Sequence, residues 1–214
     1  MHQGAMRGGQ EASTLEVVLA SSNAGKAAEL GALFTGSPLL VRTPAELGLA
    51  PLDVQETGRT YRANALLKAR AYASQYTMPA LGDDSGLCVA ALGGGPGLHT
   101  ARYGGPGLSA AERVALLLHE LQDVPEEGRM AHFYCVLELV WPDGGALEGR
   151  GVWRGRIAAA PRGQGGFGYD PVFSLPALGL TAAELPPEAK HALSHRGRAA
   201  LGLLRALAAS DRAG

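Results

Sequence analysis

Leu81-Gly-Asp-Asp-Ser-Gly-Leu-Cys-Val-Ala-Ala-Leu-Gly-Gly-Gly-Pro-Gly-Leu-His-Thr-Ala-Arg-Tyr103 is the stretch around which the rest of the chain is arranged. Asp83 and Asp84 close a short apolar run, Met78-Pro-Ala-Leu81, and Ser85 and Gly86 follow at once. Such a run reads as a strand ending in a turn, which puts both acids at a strand's C-terminal end, where α/β sheets place ligand sites. Adjacent carboxylates repel, and a fold keeps them mainly where a cation or positive groups offset the repulsion. Beyond them, Gly93, Gly94, Gly95 and Gly97 with Pro96 permit turns that side chains would block. The same letters also spell a surface turn with a flexible loop, and this stretch alone does not choose.

Working upstream, Leu15-Glu-Val-Val-Leu-Ala-Ser21 is a compact β-branched run, the expected first strand. It passes through Ser22-Asn23-Ala24-Gly25-Lys26 into a helical pattern carrying Ala28, Leu30, Leu33 and Phe34. Strand, small polar turn and helix in that order make an anion site of the helix N-terminus, strengthened by Lys26. It is not a Walker loop, because the Gly-to-Gly-Lys spacing is missing. A Ser/Asn helix cap followed by a solvated lysine fits the same residues. After an irregular stretch with a weak second strand, ending in Gln55-Glu56-Thr57-Gly58, Thr60 caps a helix to about Gln75. Tyr61, Ala65, Ala69, Tyr72 and Tyr76 form its core stripe, with Lys68 on another side.

Downstream, Ser109-Ala-Ala-Glu112 is a capping box opening a helix. Met130–Val140 and Leu147–Ile157 read as long strands joined by the turn at Trp141–Gly145. A hairpin of this length extends away from a parallel core, so the expected fold is α/β, elongated and two-lobed. Its long mixed β-sheet carries flanking helices and a central cleft. In Gly163-Gln-Gly-Gly-Phe-Gly-Tyr-Asp-Pro-Val-Phe173 the glycines leave Phe167 free to offer an aromatic face to a flat ligand, or to tuck into the core. Ser194 reads as the N-cap of an Ala/Leu-rich last helix that ends near Ser210. His195 and Arg196 then oppose the dipole of its first turn, which suggests an anionic or carbonyl ligand, the alternative being an exposed basic turn.

Lysine occurs only at 26, 68 and 190, arginine carrying the rest of the basic charge. A compact ammonium fits between neighbouring phosphate oxygens as a point charge, which favours a polyphosphate site. At 214 residues the chain is long enough for a sizeable core. A formal net charge of -1 argues against non-specific wrapping of nucleic acid. Cys88 and Cys135 lie in apolar runs and read as buried thiols of a reducing cytoplasm. No apolar stretch is long enough to cross a bilayer. Residues 1–14 are polar and Gly-rich, an expected disordered leader with Met6 as an alternative start, followed by one domain over 15–210.

Ser21-Ser-Asn-Ala-Gly-Lys26, Asp83-Asp-Ser-Gly-Leu87, Gly93-Gly-Gly-Pro-Gly97 with Ala101-Arg-Tyr103, Phe167-Gly-Tyr-Asp-Pro171 and Ser194-His-Arg196 together resemble the inosine/xanthosine triphosphate pyrophosphatase family. The resemblance runs in order from about Leu15 to Leu207, and five motifs in series make it specific. It implies a cytoplasmic homodimer that uses Mg²⁺ to hydrolyse ITP, dITP and XTP to the monophosphate and pyrophosphate. Carried onto this chain, the turn from Ser21 through Ser22, Asn23, Ala24 and Gly25 to Lys26 would hold the triphosphate together with Lys190. Asp84 would be the proton acceptor and metal-binding acid, and Ser85 would touch the substrate; Glu56 and Asp84, with Asp83 in support, could supply the carboxylates that hold Mg²⁺. Phe167 would stack on the purine, Gly168, Tyr169 and Asp170 would line its pocket, and His195 and Arg196 would read its edge.

Two departures bear on the metal. The family often has two glutamates before Thr-Gly, where this chain has Gln55-Glu56, and usually Glu-Asn-Ala on the next helix, where this chain has Ala63-Asn64-Ala65. Both remove a negative charge near the expected ion. They keep open a nucleotide-binding sensor without hydrolysis, which the intact acid pair disfavours. A related pyrophosphatase for pyrimidine or modified nucleotides shares the strand–Ser–Asn–Lys opening, but the Phe-Gly-Tyr-Asp and Ser-His-Arg stretches argue against it.

Overall fold

Residues 14–212 are described by a computed structural model; the leader expected over 1–14 lies outside them apart from Thr14. β1 (Leu15–Leu19) runs through the Ser/Asn turn into α1 (Ala24–Phe34) and back into β2 (Leu39–Arg42), which pairs parallel to β1. A long coil leads to α2 (Tyr61–Tyr76), and β3 (Ala80–Val89) then joins β1 in parallel. α3 (Ala110–Glu120) precedes the hairpin of β4 (Met130–Val140) and β5 (Ala146–Ile157). Two short strands, β6 (Phe173–Leu175) and β7 (Leu180–Thr181), finish a seven-stranded mixed sheet in the order β2-β1-β3-β4-β5-β6-β7. α4 (Pro187–Leu193) and α5 (His195–Ala208) close the chain. The mixed sheet and its long hairpin agree with the sequence reading.

α1 and α5 cover one face, burying Leu30, Phe34, Leu203 and Leu207 against Val17, Leu81, Leu137 and Leu139. α2 covers the other with Ala69, Tyr72 and Ala73 against Val18, Ala80 and Val140. Both contacts are close because glycines line the sheet. A Cβ on Gly82 would stand 2.0 Å from the Ala65 carbonyl oxygen, and one on Gly151 would stand 1.9 Å from that of His195. Those approaches set α2 and the start of α5 directly on the strands that carry the acids.

One expectation is corrected here. The strand does not end before Asp83; β3 continues through both acids, Ser85 and Gly86 to Val89. β4 imposes this by pairing with its whole length, Asp83 opposite Leu137, Asp84 opposite Val136 and Ser85 opposite Cys135. The ladder from β1, in contrast, stops at Leu81. The acids therefore lie just past the C-terminal end of the parallel pair, where a cleft opens.

Candidate active site

Successive side chains of a strand point to opposite faces of the sheet, so Asp83 and Asp84 part at once. Asp83 turns toward α1 and α5, fully buried. It pairs with Lys26 Nζ, accepts from Arg196 Nε at 3.1 Å and Ser85 Oγ at 3.2 Å, and takes a weak Cys135 Sγ–H contact at 3.5 Å. Burial alone would raise its pKa, but Lys26 and Arg196 outweigh that and hold the carboxyl well below the usual range.

Asp84 turns toward α2. Its Oδ2 accepts from Asn64 Nδ2 at 3.1 Å, its Oδ1 accepts from the Ser85 N–H at 3.0 Å, and Lys68 Nζ stands 4.0 Å away. Burial raises its pKa, with Glu56 adding to the effect and Lys68 opposing it. Glu56 meets Lys68 at 2.5 Å. Burial would raise the Glu56 carboxyl too, but the hydrogen bond from Lys68 prevails and lowers it. One ammonium thus stands between two carboxylates of different basicity.

The opening turn holds both of its sequence readings. Asn23 Oδ1 accepts from the Lys26 N–H at 3.0 Å as a helix cap, and Ser21 Oγ accepts from the Asn23 N–H at 3.2 Å. The cap leaves the Ala24 and Gly25 N–H groups without intrahelical partners at the positive end of α1. Lys26 is not solvated; it reaches under the turn to Asp83.

These groups surround a cleft of about 400 Å³, within the range of small-ligand sites, roughly 300–1,000 Å³. Of the residues singled out in the sequence, Ser21, Ser22, Asn23, Lys26, Glu56, Asp84 and Ser85 line it at one end. Phe167, Tyr169, Asp170, His195 and Arg196 also line it. Ala24, Gly25 and Gly168 are not among its lining residues, and Asp83 and Lys190 are buried beneath it in ion pairs. The Phe167 ring lies over the backbone of Gly25, so close that a Cβ there would be 2.8 Å from its Cγ. Lys190 Nζ and the Arg196 guanidinium approach that ring at 5.3 Å and 5.1 Å.

Behind Phe167 runs a buried ladder of alternating charge. Asp170 Oδ2 meets Lys190 Nζ at 2.7 Å, Lys190 meets Glu29 Oε1 at 2.9 Å, and Glu29 Oε2 meets Arg196 at 2.7 Å. Arg196 then meets Asp83, and Asp83 meets Lys26. Arg196 also donates to Ser85 Oγ at 2.7 Å. It uses three of the five N–H donors of a guanidinium, leaving two. His195 is buried and stacks on Phe133, ring centres 4.6 Å apart, with its Nδ1 unpartnered. Burial, then Arg196, push its imidazole well below its ordinary pKa, so it is neutral.

Glu29 and Asn64 are poorly legible as site residues in the sequence, and Lys68, counted there only among the lysines that favour a polyphosphate site, stands between Glu56 and Asp84. Glu29 sits three residues after Lys26 on α1 and looks like half of a surface ion pair, because its partners Lys190 and Arg196 are remote in sequence. Asn64 is the more legible: a carboxamide beside the core stripe, buried in the fold, it accepts from the Gly58 N–H at 2.8 Å and donates to Asp84.

Among the described residues no group of three or more His, Cys, Asp and Glu could hold a metal ion. Glu56 and Asp84, drawn to one ammonium, instead offer two carboxylates to a cation. That donor set fits Mg²⁺, which is usually held by one or two carboxylates with substrate phosphates and water. Asp83 does not join them, its oxygens being engaged on the other face.

Comparison with known proteins gives a consistent result. A profile described as the Ham1 family matches residues 17–206. A dITP/XTP pyrophosphatase of Geobacillus kaustophilus is 48% identical over 184 residues, 86% of this chain and 90% of that protein. One from Yersinia pseudotuberculosis is 50% identical over 194 residues, 90% of this chain and 98% of that protein. The solved structure of a HAM1 protein from Coxiella burnetii superposes with a TM-score of 0.80 at 42% identity, covering 92% of this chain and 100% of that one.

Proposed function

The chain belongs to the Ham1 family, and from that premise we propose that its cleft hydrolyses the non-standard purine nucleoside triphosphates ITP, dITP and XTP to the monophosphate and pyrophosphate. The observation that carries the reading is the division of labour across β3. Asp83 is locked in ion pairs on one face, while Asp84, with Glu56 and Lys68, faces the cleft on the other. A carboxylate whose pKa is raised is the better proton acceptor, and Asp84 is the raised one of the pair.

In this reading Asp84 orients a water on the α-phosphorus and takes its proton, held by Asn64 and the Ser85 N–H. The triphosphate lies along the α1 N-terminus with Lys26 and Lys68 against its oxygens, where fixed positive charge meets the charge that builds on the leaving pyrophosphate. Glu56 and Asp84 would hold Mg²⁺, which when bound supplies further positive charge at the phosphates. For Lys190 to touch a phosphate it has to leave Asp170 and Glu29. Phe167 stacks on the purine, with Gly168, Tyr169 and Asp170 beside it. The two remaining donors of Arg196, with neutral His195, face the purine edge; a donor satisfies a 6-oxo group and leaves a 6-amino group unpaired. The proposal extends to a cytoplasmic homodimer, the free thiols of Cys88 and Cys135 suiting a reducing compartment.

The test is a screen of common and non-standard NTPs and dNTPs with Mg²⁺, following pyrophosphate. Release from ITP, dITP and XTP well ahead of ATP is expected. Orthophosphate as first product, or full activity in chelator, rejects the reading. Asp84→Asn should lower kcat on the order of 10²-fold or more while nucleotide still binds; near-normal turnover would move the catalytic role to another acid. Light scattering should give the mass of two 22.0 kDa chains, and a single-chain mass would rule out the homodimer.

A further inference from the structure

Ala101-Arg102-Tyr103 has no part in the mechanism above, yet Ala101 and Arg102 line the cleft. Arg102 ends a short helical turn, Gly97–Arg102, whose backbone is fastened to β3 close to the acids. Thr100 Oγ1 accepts from the Leu87 N–H at 2.8 Å and donates to the Gly97 carbonyl at 2.6 Å. Tyr169 Oη donates to the Thr100 carbonyl at 3.2 Å. Gly86 admits the turn, since a Cβ there would stand 2.3 Å from the Gly97 oxygen. The turn that ends in Arg102 is therefore held against Gly86 and Leu87, two and three residues past Asp84.

The head of the side chain is in the opposite condition. It is 54% exposed. Its Nε donates to His99 Nδ1 at 3.2 Å, and its nearest carboxylate oxygen, Glu56 Oε2, is 4.0 Å from Nη1, beyond hydrogen-bonding range. Both terminal nitrogens, four of five N–H donors, have no hydrogen-bond acceptor among the described residues. Arg196, in contrast, is buried and spends three donors on Asp83, Glu29 and Ser85. The one arginine is built in; the other presents an unused planar fork at the end of the cleft that holds Glu56 and Lys68. Such a fork matches two phosphate oxygens at once, with shorter and stronger bonds than a neutral donor makes.

We propose that Arg102 is a substrate-binding residue that grips the β- and γ-phosphates, and so the departing pyrophosphate, through its two terminal nitrogens. The assignment rests on the triphosphate lying along the α1 N-terminus as proposed above. It gives the cleft a ligand for the leaving group that is separate from everything touching the purine and the α-phosphate. Glu56 keeps its partner Lys68, at 2.5 Å, whether or not Arg102 is on the phosphate.

The experiment titrates inorganic pyrophosphate and IMP separately, with Mg²⁺, into the parent protein and Arg102→Gln, and measures ITP hydrolysis on both. Losing charged hydrogen bonds should weaken pyrophosphate binding about tenfold or more, with IMP affinity unchanged and kcat/KM for ITP lowered to a similar degree. Arg102→Lys, a point charge without the fork, should recover only part of the loss. Unchanged pyrophosphate affinity in Arg102→Gln overturns the assignment, as does an equal loss for IMP. A parent protein that binds pyrophosphate through Arg102 but leaves ITP intact would instead reject the hydrolytic reading and leave Arg102 standing.

Discussion

Arg196 shows how far a single residue's meaning depends on partners that sequence does not display. In the chain it is an unaccompanied cation on the first turn of a helix, which points to a ligand. In the fold it is met by Asp83 from β3 and Glu29 from α1, neither of them near it in sequence. A cation at the positive end of a helix does need negative charge beside it, and the protein supplies that charge internally. Removing one member of a buried ionic set strands the others, at about 3–5 kcal/mol. Arg196→Ala should therefore lose about that much stability in denaturant unfolding, since Asp83 and Glu29 are left buried opposite nothing. A loss below about 1 kcal/mol, the scale of an exposed pair, would mean that the ladder contributes little. In the fraction that stays folded, kcat/KM for ITP should fall more than that for ATP. Equal falls would shift base selection to Asp170, His195 or the backbone.

Helices were more legible than strands because their ends are written locally. Asn23, Thr60, Ser109 and Ser194 each make the cap hydrogen bond that their residue type and position promised. The middle of β3 is not legible as a strand because Asp-Asp-Ser-Gly has little intrinsic preference for one, and only pairing with β4 makes it one. α4 went unseen, being seven residues begun by prolines. The hairpin also hides a titratable pair. Glu138 on β4 lies directly opposite Glu148 on β5, and Arg62 of α2 reaches both, at 3.0 Å and 2.8 Å. Glu138 is buried with Oε2 unpartnered. Burial pushes its pKa up to about 7, with Glu148 adding and Arg62 opposing. A carboxyl raised in the folded state stabilises most below its unfolded pKa, and that contribution is lost as pH rises through the folded value. Thermal stability should thus decline from about pH 4.5 to about pH 7 on account of this group. Glu138→Gln, permanently neutral, should flatten that part of the profile, and an unaltered slope in melting curves would show that the proton resides elsewhere.

For the whole molecule, the sequence disclosed which residues gather and left open how they divide. Strand–turn–helix, acid pair, aromatic glycine loop and Ser-His-Arg turn do converge on one cleft, because an α/β sheet brings successive strand ends together. What local pattern could not carry was the face of the sheet each side chain takes, and hence that Asp83 and Lys190 stand behind the surface in ion pairs. A ligand that binds only the folded state adds stability by mass action, about 2.7 kcal/mol at a hundredfold excess over Kd. With turnover suppressed by Asp84→Asn, ITP at that excess should raise the melting temperature accordingly, and ATP at the same concentration should raise it far less. Equal shifts would show that the cleft does not discriminate at the binding step. A one-residue slip in a strand turns every side chain to the other face. Loss of a single codon between Ala80 and Asp83 would put Asp84 in Asp83's place, beside Lys26 and Arg196, and Asp83 in that of Gly82, where a Cβ would stand 2.0 Å from the Ala65 carbonyl oxygen; gain of one would put Asp83 in Asp84's place, beside Asn64 and Lys68. Point changes along this segment have graded costs, whereas a frame-preserving change of length is expected to be null.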